Sequence, residues 1–193
     1  MLPETLSGDG ILSASKTWLS KAIRLFGKLH TGSASRSHVA VCIGEGQIIE
    51  ALSEIRINDI EKYEKEDIEI WRVPLSEDEQ DDFRSGIIKM AGDNYGWLKI
   101  PLHAMDSFVT FCTRPIRKKP FFWFTQKFGI SSFKVCSHLY VYALHTFTDY
   151  RLLGPGPWHE EVDWRTVSPD YLQDLLALPH NKAQLIYKQV TNI

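Results

Sequence analysis

The chain has 193 residues, the length of one ordinary domain, and predicts a single unit over 1–193. With 22 basic against 24 acidic residues its formal charge is −2, which excludes a generally basic surface that grips nucleic acid through phosphates. Hydrophobic residues at 44% and charged residues at 24% exclude wholesale disorder. Cys42, Cys112 and Cys136 are too few, and odd in number, for a disulfide framework, so a reducing compartment is expected. The first ten residues carry neither a basic residue nor an apolar run, and the longest stretch free of Asp, Glu, Lys and Arg, 135–148, falls short of the ~18–20 residues a membrane-spanning helix needs. Together these predict a cytoplasmic protein without a secretory signal or transmembrane segment.

Taken in chain order, a short strand is predicted at 10–12 and an amphipathic helix at 18–26, where Trp18, Ile23 and Phe26 share a face. Small polar residues at 31–37 mark a loop. The clearest β signal is SHVAVCI, with His38, Ala40 and Cys42 on one face and Val39, Val41 and Ile43 on the other. Gly44-Glu45-Gly46 reads as a three-residue hairpin loop and QIIEAL as the returning strand. Pairing Ile43 with Gln47 sets Ala40 opposite Glu50 and His38 opposite Leu52, leaving His38 and Glu50 as diagonal neighbours on one face.

A third strand is predicted at 68–73, ended by Pro74, and Ser76 with Glu79 forms a capping box for a helix running to about Ala91. Asn94-Tyr95-Gly96 breaks it, a second helix spans 97–111, and 112–134 is an irregular basic and aromatic segment. From Val135 apolar residues recur with a helical period. Ser168-Pro169 opens a short helix and 184–190 closes the chain as a strand. Strands, then helices, then a strand predict an α+β fold in which an antiparallel sheet packs against helices.

The chemistry concentrates in a cysteine at a helix start and a histidine at a strand start. In the first turn of its helix, Cys136 meets unpaired backbone N–H groups and the positive end of the helix dipole, which favour a thiolate. A nucleophilic thiolate needs a base and a group that orients the base. His38 is placed for the first task and Glu50, on the adjoining strand, for the second. The same helix start offers the Cys136 amide to a developing oxyanion. A buried core cysteine, an exposed strand histidine and an exposed strand carboxylate are the competing readings of these three residues.

Ser37-His38-Val39-Ala40-Val41, Ile49-Glu50-Ala51 and the later Cys136-Ser137 before a helix resemble the circularly permuted branch of the NlpC-type cysteine hydrolases. Within it the likeness is to the YiiX/YaeF-like group, with lecithin:retinol acyltransferase as a more distant relative. Gly8-Asp9, Tyr95-Gly96-Trp97 and Val167-Ser168-Pro169 add weaker matches, so the resemblance touches roughly 8–172. It implies a permuted papain-like fold with Cys136 as nucleophile, His38 as base and Glu50 as orienting residue. It further implies a thiol hydrolase acting through an acyl-enzyme thioester without cofactor or metal. The amidase, peptidase, thioesterase and acyltransferase variants, with peptide, cell-wall or lipid-like acyl substrates, remain open. Ser37, Ser137 and Tyr95 are the accompanying candidates for substrate binding. The alternative is a catalytically silent binding or structural module on the same scaffold.

Other features read as decoys. His138 and His145 lie on the Cys136 helix but are badly spaced to serve as its base, Cys42 reads as core, and a zinc site of His38, Cys42 and Cys136 has no short ligand spacing behind it. Segment 112–134 joins six cations, Arg114, Arg117, Lys118, Lys119, Lys127 and Lys134, to a run of aromatics without an acidic residue. One reading packs the aromatics and solvates the charges. The other places 114–128 beside the cleft as a peripheral membrane contact.

Overall fold

The computed structural model describes residues 2–14, 20–21, 24–25, 35–52, 54–93, 105, 109, 112–113 and 136–191. Six strands form one antiparallel sheet: β1 (Gly10–Ala14), β2 (His38–Gly44), β3 (Gln47–Ala51), β4 (Ile55–Asp59), β5 (Asp67–Arg72) and β6 (Gln184–Gln189), in the order β4-β3-β2-β1-β5-β6. The helices whose bounds are described are α1 (Glu77–Ile88), α2 (Cys136–Phe147) and α3 (Pro169–Leu176). The architecture is α+β.

The near-continuous apolar runs VAVCI and QIIEA have a direct cause, because the central strands are buried on both faces. On the helical side Leu12, Val39, Val41 and Ile49 meet Phe83 and Ile87 of α1, Leu139 and Leu144 of α2, and Leu172 of α3. On the other side Ile11, Ala40, Cys42, Ile48, Ile68 and Ile70 are closed over by Ile60 and Tyr63 from a 3-10 turn, Ile60–Tyr63. That turn and β4 went unpredicted, although Ile-Arg-Ile-Asn at 55–58 alternates as a strand should.

The β2–β3 register carries the expected pairs Ala40↔Glu50, Val41↔Ile49 and Cys42↔Ile48, then departs from expectation. Ile43 is bulged, Gly44 pairs with Gln47, and the loop is the two residues Glu45 and Gly46 rather than three. Both loop residues have positive φ, 55° and 70°, as a tight hairpin turn matched to strand twist requires, and Gly44 at 86° absorbs the bulge. The ladder stops at Ala40, so His38 does not face Leu52; it pairs with Ser13 of β1 instead.

Helix ends follow local chemistry. Ser76 and Glu79 make both bonds of the capping box, and Ser168 caps α3 by accepting from the Tyr171 N–H with Pro169 at the first helical position. Helix α1 stops at Ile88, short of the predicted Ala91, because a turn there delivers the Gly92 N–H to Ile55 and the Asp93 carbonyl to the Ile55 N–H. The predicted helices at 18–26 and 97–111 and the segment 112–134 lie mostly outside the described residues; within them 20–21, 24–25, 105, 109 and 112–113 are helical. Among the described residues no helix is long and apolar enough to cross a membrane.

Two glycines set close approaches. A Cβ on Gly10 would lie 2.9 Å from the Tyr140 ring, whose hydroxyl donates to the Gly8 carbonyl at 2.9 Å and anchors α2 on the sheet. A Cβ on Gly86 would lie 2.4 Å from the Phe147 ring, where α1 crosses α2. Gly86→Ala should therefore destabilise by roughly 1–3 kcal/mol in urea denaturation through overpacking, and by less when combined with Phe147→Leu. An unchanged midpoint would show that the two helices pack elsewhere.

Candidate active site

Cys136 is the first residue of α2 and is 5% exposed. The His38 ring and the backbone N–H groups of Val39 and Ser137 surround its thiol closely enough to act on its charge. Burial pushes the thiol up, but the imidazolium and these donors outweigh it and hold Cys136 below the ordinary cysteine value. His38, the first residue of β2, places Nε2 2.9 Å from Glu50 Oε2. Because an ionised carboxylate can only accept, Nε2 carries the proton there and Nδ1 is the nitrogen left for the sulfur. Burial works against a charged ring, yet the Cys136 thiolate and Glu50 together raise His38 to about 9.

Glu50 is 0% exposed, a charge in a hydrophobic layer. Its carboxylate accepts from four groups. Oε2 takes His38 Nε2 and the Tyr63 hydroxyl, the latter at 2.9 Å; Oε1 takes Asn58 Nδ2 at 2.8 Å and the Lys62 ammonium. Burial alone would raise Glu50, but its bonds to His38 and Lys62 and the charges behind them bring it down to about 2. Asn58, Lys62 and Tyr63 were not anticipated. The β alternation at 55–58 was a signal for Asn58, whereas Lys62 and Tyr63 enter through a 3-10 turn that left no periodic trace.

The three predicted residues thus meet, across the sheet rather than on one side of it. Cys136 belongs to the helical core with Val39 and Val41, while Glu50 shares the opposite face with Ala40 and is covered by Tyr63. His38 joins them because it lies beyond the last β2–β3 pair, where its ring spans the end of the ladder.

The hydroxyls of two further candidates are engaged away from the sulfur. Ser37 and Ser137 are buried: the Ser37 hydroxyl lies 2.6 Å from that of Ser20, and the Ser137 hydroxyl donates to the Val167 carbonyl at 2.6 Å. Tyr95 lies outside the described residues. Cys42 is core on the Tyr63 side, and burial pushes its thiol up to about 12. His138 stacks edge-to-face on Trp164 with ring centroids 6.0 Å apart. His145 accepts the Leu152 N–H at Nε2 and faces Glu161 through Nδ1. Neither histidine is among the groups acting on Cys136 or Glu50. Among the described residues no three His, Cys, Asp or Glu side chains converge as a metal site.

No protein-family model and no curated protein matches this chain. Among solved structures it is similar to the crystal structure of metalloprotein yiiX from Escherichia coli O157:H7 (DUF1105), at 16% identity and a TM-score of 0.60, over 97% of this chain and 99% of that one. The two proteins share a fold of this kind from end to end.

The electrostatics separate the two buried thiols. Limiting iodoacetamide near pH 6 followed by peptide mapping should modify Cys136 first, because its thiolate is stabilised while Cys42 is both buried and raised. First modification at the exposed Cys112 or at Cys42 would contradict the ion pair with His38.

Proposed function

We propose that this protein is a thiol hydrolase or acyltransferase of the permuted papain-like kind, in which Cys136 attacks a carbonyl, His38 moves the proton and Glu50 orients His38. The observation that carries this is the series Cys136–His38–Glu50, with a lowered thiol at a helix start and a buried carboxylate bonded to the histidine ring. The order of the parts, histidine strand before cysteine helix, fits the permuted arrangement, and the shared fold with YiiX supports it without assigning an activity.

In this mechanism the thiolate forms a sulfur–carbon bond to the carbonyl carbon, and the oxygen takes the negative charge near the start of α2, where backbone N–H groups point outward. The carbonyl re-forms as the bond to the amine, alkoxide or thiolate breaks, and the imidazolium of His38 gives its proton to that leaving group. Neutral His38 then takes a proton from water, or from an acceptor alcohol or amine, which attacks the thioester. The Cys136 thiolate departs and the ion pair is restored. Substrates are peptide, cell-wall or lipid-like acyl compounds with an amide, ester or thioester bond.

A metal-centred reading, prompted by the description of YiiX as a metalloprotein, is not supported by the donor set here. Both His38 nitrogens are engaged, by Glu50 and by Cys136, and Glu50 Oε1 already faces an ammonium that a divalent ion would have to displace. No step is assigned to a metal.

Amide, ester and thioester probes offered to wild type and to Cys136→Ala should give turnover that the variant loses at least about 10³-fold. Loss of about 10²–10⁴-fold is expected for His38→Ala, and a smaller loss for Glu50→Gln, whose amide still accepts the ring N–H. Full activity in Cys136→Ala would end the proposal.

The rate should also follow the ion pair. It rises as Cys136 deprotonates, below the ordinary thiol range, and falls as pH passes about 9, where His38 loses the proton it must deliver. An activity that keeps climbing beyond pH 10 would mean that His38 is not the acid.

A further inference from the structure

We propose that Lys62 is a positioning and charge-setting residue of this site: from Oε1 it fixes the Glu50 carboxylate and offsets its charge, so that His38 can release its proton during turnover. This rests on the acyl-transfer reading for its purpose, but not for its test.

The geometry is specific. In the 3-10 turn the buried residues are Ile60 and Tyr63, three apart on one side, so Lys62 does not belong to the apolar face. Its side chain is 37% exposed, yet it returns over the Tyr63 ring, with Nζ 5.2 Å from the centroid, and ends on Glu50. A surface lysine with water available is ordinarily left free.

The charges explain the return. Around His38 and Glu50 stand the Cys136 thiolate from α2, Asn58 and Arg56 from β4, and Lys62 and Tyr63 from the turn, with Glu66 acting on Tyr63 from further out. Arg56 pairs with Glu54 at 2.6 Å, and Asn58 and Tyr63 are neutral donors. Among the described residues Lys62 is thus the cation other than His38 itself that bonds Glu50. With it the site has two positive and two negative members, His38 and Lys62 against Cys136 and Glu50. Without it one imidazolium would sit between two anions and hold its proton too tightly to act as a general acid.

The test is the titration of the His38 ring, read by ¹H–¹³C NMR in the full chain as wild type, Lys62→Met and Lys62→Arg. Removing the ammonium should move the His38 titration upward by roughly half a unit to one unit, while Lys62→Arg stays with wild type. A role confined to packing would change the melting temperature and leave the titration in place. Coincident titrations for wild type and Lys62→Met, or an equal shift in Lys62→Arg, would overturn the proposal; should Lys62→Met fail to fold, Lys62→Gln is read in the same way. Because the readout needs no substrate, a chain that turns over none of the probes would defeat the acyl-transfer reading while the titration still decides the role of Lys62.

Discussion

The arrangement around the site depends on one buried carboxylate. Glu50 is the fourth of the five residues of β3, between Ile49 and Ala51, with no access to water. An unpaired charge there would cost several kcal/mol, enough to consume much of a domain's net stability. The cost is met by donors from β2, β4 and the 3-10 turn that follows β4. Three stretches of chain are thereby required to converge on two oxygen atoms. A one-residue slip of β3 would turn Glu50 into the helical core among Val41, Phe83 and Leu144 and strand all four donors at once, so the carboxylate enforces register as well as electrostatics.

That constraint also explains where the cysteine can meet the histidine. Cys136 and Glu50 sit in different hydrophobic layers, and the sheet separates them everywhere except at the start of β2. There the β2–β3 ladder has ended and the His38 ring can touch both. Helix α2 is held on the sheet by the Tyr140 ring, which lies against Gly10 opposite Val41 and tolerates no side chain there, and by the Ser137 hydroxyl on the Val167 carbonyl. Backbone N–H groups of Val39 and Ser137 complete the surroundings of the sulfur. A rigid histidine strand and a pinned helix start are thus consequences of core packing, and the proposed chemistry rests on them.

Much of this was legible in the sequence, for identifiable reasons. The period-2 pattern of SHVAVCI and the glycines after it specified the hairpin, and the register brought Ala40 opposite Glu50 as anticipated. The bulge at Ile43 was not legible, because it depends on Gly44, Glu45 and Gly46 all taking positive φ, and glutamate gives no sign of doing so. The capping box at Ser76 and the Ser-Pro start of α3 are local signals and held. Lys62 and Tyr63 could not be found, since a single 3-10 turn has no period to detect and their partner is twelve or more residues away. The donors of a buried charge are a tertiary fact. Glu50, by contrast, followed from the hairpin register and from the likeness of Ile49-Glu50-Ala51.

The central claim is that Cys136 carries a covalent acyl intermediate. The direct measurement is intact-mass spectrometry of the full chain, acid-quenched seconds after mixing with ester and thioester acyl donors, followed by peptide mapping. An adduct equal to the acyl group, located on Cys136 and absent from Cys136→Ala, is the predicted result. Hydrolysis of the same donors with no adduct at any time point, or an adduct mapped to Cys42 or Cys112, would contradict it.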